Sequence, residues 1–193
     1  MLIETAAPPA DPPAHPQLRT ARDVARHYLG DLVYGANDGI ITTFAVVAGV
    51  AGAALSPRVV IILGVANLIA DGFSMAASNY LSIRSRSAAE RAEALPVSEP
   101  FAARHGAATF VAFVIAGAVP LVAYLLPVAE ASRFRVTTVL ALATLFAVGA
   151  SRTTITRGRW VVNGLEMLAI GAAAGAMAYL VGKALGAAIG HTV

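Results

Sequence analysis

Three carboxylates stand where apolar runs should exclude them: Asp38 within residues 31–54, Asp71 within 57–83 and Glu166 within 161–189. A carboxylate deep in a bilayer-spanning helix costs at least ~2.5 kcal/mol on insertion scales, so such an acid is read first as functional. In the second run Asp71, Ser74, Met75, Ser78 and Asn79 recur at i, i+3, i+4, i+7 and i+8. That spacing aligns them on one helical face, a polar stripe with a thioether inside it. Oxygen ligands alone suit magnesium, calcium or manganese, and a soft sulfur moves the preference toward transition ions such as Fe(II). Singly, each residue has an ordinary structural use, as a helix-capping acid or a gap-filling methionine. Together, Asp38, Asp71, Met75, Asn79 and Glu166 make a candidate site for a divalent metal ion.

Depth along the helices supports the grouping. If the first span is entered at Asp31 and the second ends near Ile83, Asp38 lies ~10 Å in, Met75 ~12 Å and Asp71 ~18 Å. Glu166 lies ~9 Å past Trp160, taken as an interfacial anchor. Asp38, Met75 and Glu166 are therefore expected in one layer. Asn37-Asp38-Gly39 predicts local unwinding, since all three residue types favour non-helical backbone and unwound backbone at membrane depth is tolerated where it lines a cavity.

The elements that must position these groups are transmembrane helices. Hydrophobic residues make up 58% of the chain and charged ones 13%, with a mean hydropathy of +0.71, too little polar surface to cover a water-soluble globule. The apolar stretches run over 31–54, 57–83, 105–126, 135–151 and 161–189, each of a length suited to a bilayer span. The fold class expected is an all-α integral membrane protein with five transmembrane helices. Residues 1–20, with Pro8, Pro9, Pro12, Pro13 and Pro16, read as a disordered tail rather than a signal peptide. Residues 21–30 read as an amphipathic lead-in, and 31–189 as one five-helix domain. Pro120 predicts a kink inside the third span, and Pro127 its end.

Arginine and lysine set the orientation. With the N-terminus cytoplasmic, the inner segments hold Arg19, Arg22, Arg26, Arg84, Arg86, Arg91, Arg104, Arg152, Arg157 and Arg159, against Arg58, Arg133, Arg135 and Lys183 outside. The basic residues thus serve topology, and no basic-aromatic patch marks a nucleic-acid partner. Gly171, Gly175, Gly182 and Gly186 give the last span a small-residue face for close packing on another helix, in the same subunit or another. The absence of cysteine excludes disulfides and thiolate sites. His15, His27, His105 and His191 are each expected to be solvated or interfacial, and no two of them form a metal constellation by spacing. No nucleophile–base pair or cofactor fingerprint points to an enzyme, and no phosphate-cradling loop is present to draw on ATP.

The run Asp31-Leu-Val-Tyr-Gly-Ala-Asn-Asp-Gly-Ile-Ile-Thr-Thr-Phe-Ala-Val-Val-Ala-Gly49, followed by Ala66-Asn-Leu-Ile-Ala-Asp-Gly-Phe-Ser-Met-Ala-Ala-Ser-Asn-Tyr-Leu-Ser82, closely resembles the vacuolar iron transporter family. Leu145-Phe-Ala-Val-Gly149 and Gly164-Leu-Glu-Met-Leu-Ala-Ile-Gly171 extend the resemblance over residues 30 to 189. It implies a five-helix subunit working as a homodimer, with Fe(II) or Mn(II) as cargo leaving the cytosol in exchange for protons and no resident cofactor. It also implies that Asp38, of Asn-Asp-Gly, and Met75, of Ser-Met-Ala, line the metal path.

The chain departs from that family in two places. Ser78-Asn79-Tyr80 stands where many members read Gly-Glu-Tyr, and Asp71, on the same face, is the candidate substitute for the missing charge. The connection from Arg84 to Arg104 is too short for the acidic cytosolic metal-binding domain of well-known relatives, so this chain resembles the shorter members. Glu90, Glu93 and Glu99 there are read as solvated loop charges. The competing reading is a membrane structural or assembly protein whose buried acids pair with basic residues; it requires cations at the depth of Asp38 and Asp71. The compact form and the lack of an organelle signal lead us to expect a bacterial inner membrane.

Overall fold

A computed structural model describes residues 20–156 and 158–190, apart from the side chains of 21, 22, 25, 155 and 156. The Pro-rich tail up to residue 19, Arg157 and His191 lie outside the described residues. Every regular element among the described residues is helical: α1 (Ala21–Gly52), α2 (Pro57–Ala92), α3 (Ala102–Ala118), a 3₁₀ turn (Val119–Leu121), α4 (Val122–Leu125), α5 (Glu130–Ser151), α6 (Thr153–Thr156) and α7 (Trp160–Gly190). Five segments are long and apolar enough to cross a membrane: Arg26–Gly52, Pro57–Ala92, Ala102–Leu125, Glu130–Ser151 and Trp160–Gly190.

α1 is one helix through the lead-in and the first span. Thr20 caps it with a full capping box: its hydroxyl accepts from the Asp23 N–H and the Asp23 carboxylate accepts from the Thr20 N–H at 3.1 Å. The Thr-x-x-Asp signal for that start lies in the sequence. The unwinding expected at Asn37-Asp38-Gly39 does not occur, since the helix continues through all three. Gly39 serves close approach instead. A Cβ there would collide with the Phe113 carbonyl, and one at Gly35 with that of Thr109, so the two glycines let α1 cross α3 backbone to backbone.

α2 runs to Ala92 rather than ending near Ile83. Nothing in Arg84–Ala92 opposes a helix, and at ~1.5 Å per residue the element is ~54 Å long, well beyond a hydrocarbon core of ~30 Å. It stops where Ala94 adopts a left-handed backbone (φ 55°) and the Leu95 N–H reaches back to the Glu90 carbonyl at 2.8 Å. α1 ends the same way at Ala54 (φ 56°). The third span breaks at Pro120 as expected, into the 3₁₀ turn and α4. Thr137 of α5 donates to the Pro120 carbonyl at 2.9 Å, a neighbouring helix satisfying backbone at the break. α5 begins at Glu130, a full turn before the expected 135: Arg135 is exposed there, and half-buried Arg133 donates from Nε to the Val128 carbonyl at 3.1 Å.

α1 is the central helix, packed chiefly on α3 and α7. One core cluster joins Ile40 and Phe44 to Leu145 and Met167, and a second joins Val47, Val60, Leu68 and Phe113. The glycine face of α7 is used inside the subunit. Added Cβ atoms at Gly171, Gly175 and Gly182 would strike Leu145, Phe44 and Gly49, and one at Gly186 would lie 2.9 Å from Ala53 Cα. Those glycines therefore say nothing of a second subunit.

Candidate metal path

α1 and α2 carry the candidate ligands in the order the spacing predicted. Val60, Gly64, Leu68 and Gly72, four residues apart, form the buried face of α2. Gly72 brings that face onto Phe110 and Phe113 of α3. This packing turns the polar stripe outward, so that Ser74, Met75, Ser78, Asn79 and Ser82 line one open groove, closed on its far side by Tyr34 of α1. Met75 is half-buried against the second core cluster. Asp38, one turn beyond Tyr34, is half-buried, and its only described polar contact runs through its backbone carbonyl, which accepts from Thr42 Oγ1 at 2.8 Å. Asp71 is near enough for the two carboxylates to interact electrostatically.

Among the described residues, no arginine, lysine or hydrogen-bond donor reaches the Asp38 or Asp71 carboxylate. Two neighbouring acids without a counter-charge are poor structural glue in an apolar helix bundle.

Asn79 sits differently from the expected free ligand. Its Nδ2 donates to Asp31 Oδ1 at 2.7 Å and to Thr109 Oγ1 at 2.8 Å. Tying the amide nitrogen to α1 and α3 leaves Oδ1, its cation-binding atom, without a donor among the described residues. Glu166 does not line the Met75 groove. It pairs with Arg152 at 3.4 Å, both side chains substantially exposed, and lines a separate groove with Asn37, Met167 and Tyr34. Tyr34, 60% exposed, is thus the wall between the Met75 groove and the Glu166 groove. Rise along a helix gives a residue's height and not its azimuth, so depth alone could not separate the two grooves.

Sequence reasoning missed a second polar cluster. His105, expected to be solvated or interfacial, is 5% exposed. Its Nδ1 lies 2.6 Å from Asp31 Oδ2 and its Nε2 3.2 Å from Glu99 Oε2. Glu99 is therefore not a free loop charge, and it also faces His27 Nε2 at 3.5 Å. The available signal was slight: His27 and Asp31 share a face at i, i+4, and the α2–α3 connection returns Glu99 and His105 to it.

The match to known proteins covers most of the chain. The model of the VIT family matches residues 29–99 and 94–183. A vacuolar iron transporter of Plasmodium berghei (strain Anka) is 47% identical over 57 residues, 30% of this chain and 21% of that protein. That of Plasmodium falciparum (isolate 3D7) is 48% identical over 54 residues, 28% of this chain and 20% of the relative. One from Toxoplasma gondii (strain ATCC 50861 / VEG) is 47% identical over 55 residues, 28% and 18% of the two chains. The matched segment thus spans about a fifth of each of these relatives. All three come from eukaryotic parasites, so the expected bacterial inner membrane gains no support from them. The family-model match over both halves of the bundle, and the five spans that carry it, identify the chain as a member of the VIT family.

Proposed function

We propose that this chain is a membrane transporter that moves divalent iron or manganese out of the cytosol in exchange for protons, through a path that uses Asp38, Asp71, Met75 and Asn79. The observation that carries the reading is that Asp38 and Asp71, each one helical turn from a residue of the Met75 groove, have no counter-charge among the described residues. Anionic oxygen offsets the ion's desolvation, and the thioether favours softer transition ions. Membership of a family whose relatives are named vacuolar iron transporters supports the same reading. Protons are the coupling ion we favour because carboxylates that release a metal can take up a proton in its place.

The functional unit in this reading is a homodimer. A groove lined by Ser74, Ser78, Asn79 and Ser82 is a poor surface for lipid, since exposed polar groups in hydrocarbon lack partners. A second copy laid across it would close the path and bring the Glu166 groove, on the other side of Tyr34, toward the same axis. In this reading Glu166 serves the mouth of the path, and exchange of its Arg152 partner for a metal ion is what would admit cargo there. In this reading the N-terminus lies in the cytosol, which the distribution of arginine and lysine supports.

The test is metal flux into proteoliposomes of the purified chain, comparing Fe(II), Mn(II), Zn(II) and Mg(II) with and without an imposed pH gradient. Flux of Fe(II) and Mn(II) that accelerates with the gradient is expected. Flux that is absent for all four ions in folded protein would leave the structural reading of the buried acids as the better account.

A further inference from the structure

We propose that His27, Glu99 and His105 form a second divalent-metal site, at the end of the bundle that carries the N-terminus and apart from the Asp38–Met75 path. The three residues come from different elements: the first turns of α1, the α2–α3 connection and the start of α3. One ligand atom from each lies within 4.8 Å of the others. A tetrahedral ion with ligands at ~2.1 Å holds its ligand atoms roughly 3.4 Å apart. Here Glu99 Oε2 is 3.2 Å from His105 Nε2 and 3.5 Å from His27 Nε2.

The surroundings match what a metal-ligating histidine requires. Such a histidine donates its other ring N–H to a carboxylate, which fixes the tautomer and aims the free lone pair at the ion. His105 Nδ1 has Asp31 Oδ2 at 2.6 Å, and Asp31 is itself held by Asn79 Nδ2 at 2.7 Å. Both ring nitrogens of His105 therefore face carboxylates, and a neutral imidazole can donate to only one of them. In the tautomer that donates from Nδ1 to Asp31, the nearer carboxylate, the Nε2 lone pair faces Glu99 at a spacing that suits a cation bound by both.

The packing and charge fit as well. The rings of His27 and His105 lie 5.0 Å apart, each 4.7 Å from the ring of Tyr28, which holds them in place. Asp31 and Glu99 together balance the charge of a divalent ion. Two imidazoles and one carboxylate select Zn(II), Fe(II), Co(II) or Mn(II) over magnesium and calcium, which take all-oxygen shells. The cluster joins the path through Asp31, whose other oxygen holds Asn79. It does not rest on the transport reading, since its ligands are not those of the path.

The test is a cobalt titration of the full tag-free chain in detergent, followed by the visible d–d bands of four- or five-coordinate Co(II). It is run in the Asp38→Asn/Met75→Leu background, which silences the path. One Co(II) with those bands is expected in that background, with affinity lowered at least about tenfold by His27→Gln or Glu99→Gln and roughly 10–100-fold by Asp31→Asn. X-ray absorption at the cobalt edge of the silenced chain, loaded with one equivalent of Co(II) and checked for folding by its unfolding transition, should count two imidazole ligands. Bands that vanish in the silenced background, survive His27→Gln at full affinity, or come with fewer than two imidazoles overturn the site and leave an imidazolium–carboxylate cluster. Bands that persist while proteoliposome flux of the unsubstituted chain is zero uphold this site and overturn the transport reading alone.

Discussion

Asp38 and Met75 would divide the work of holding a divalent ion, one by charge and the other by softness. Removing this charge leaves a single carboxylate to offset the desolvation of a divalent ion, so Asp38→Asn is expected to abolish flux of every divalent metal in proteoliposomes. Met75→Leu keeps roughly the same volume and removes the sulfur, and flux of Fe(II) should fall further than that of Mn(II). Asp71→Asn should reduce flux and flatten its dependence on the imposed pH gradient, because Asp71 is the second carboxylate felt at Asp38. Folded Asp38→Asn protein that moves metal at the parent rate would remove Asp38 from the path. These residues were legible because a polar group inside an apolar run is conspicuous. His27, Asp31, Glu99 and His105 were not, since a charged residue at a helix end is ordinary until tertiary packing buries it, as it does His105 at 5% exposure.

At the scale of the elements, small residues decide how closely helices approach. A Cβ at Gly182 would run into the Gly49 carbonyl, where α7 crosses α1. Backbone cannot move aside as a side chain can, so Gly182→Leu should lower unfolding stability in detergent by roughly 1–3 kcal/mol, the range seen for overpacking. The opposite change is expected where α2 ends. Ala94 holds a left-handed backbone at φ 55°, which disfavours an L side chain by roughly 1 kcal/mol. Ala94→Gly relieves that strain but adds freedom to the unfolded chain, so the gain should stay below about 1 kcal/mol and show as a small rise in melting temperature. The glycine spacing of the last span was visible in the sequence, and its partner was not: period-four small residues announce a close crossing without naming the helix crossed. The same limit explains Gly39, where a helix-breaking triplet also reads as a packing notch.

The whole molecule is a bundle with its basic residues at its two ends, and that much follows from hydropathy and charge alone. Five spans place Arg91 and Arg133 at opposite ends, and the cysteine-free chain permits a direct check with single cysteines at those positions and a membrane-impermeant label. Labelling of only the Arg133 position from outside sealed cells is expected, and labelling of both from one side would sink the topology. Assembly was less legible, because the glycine face that suggested a partner helix is consumed within one subunit. The groove between Tyr34 and the α2 stripe is the surface that calls for a second copy. If a twin subunit covers that groove, Tyr34 and Ser78 lie at the interface. Single cysteines at Tyr34 or Ser78 should then cross-link to dimers in the native membrane, whereas a cysteine at Val139, exposed on α5, should not. Cross-linking at Val139 alone would move the interface to α5 and leave the polar groove facing lipid, a placement that the exposed serines of α2 argue against.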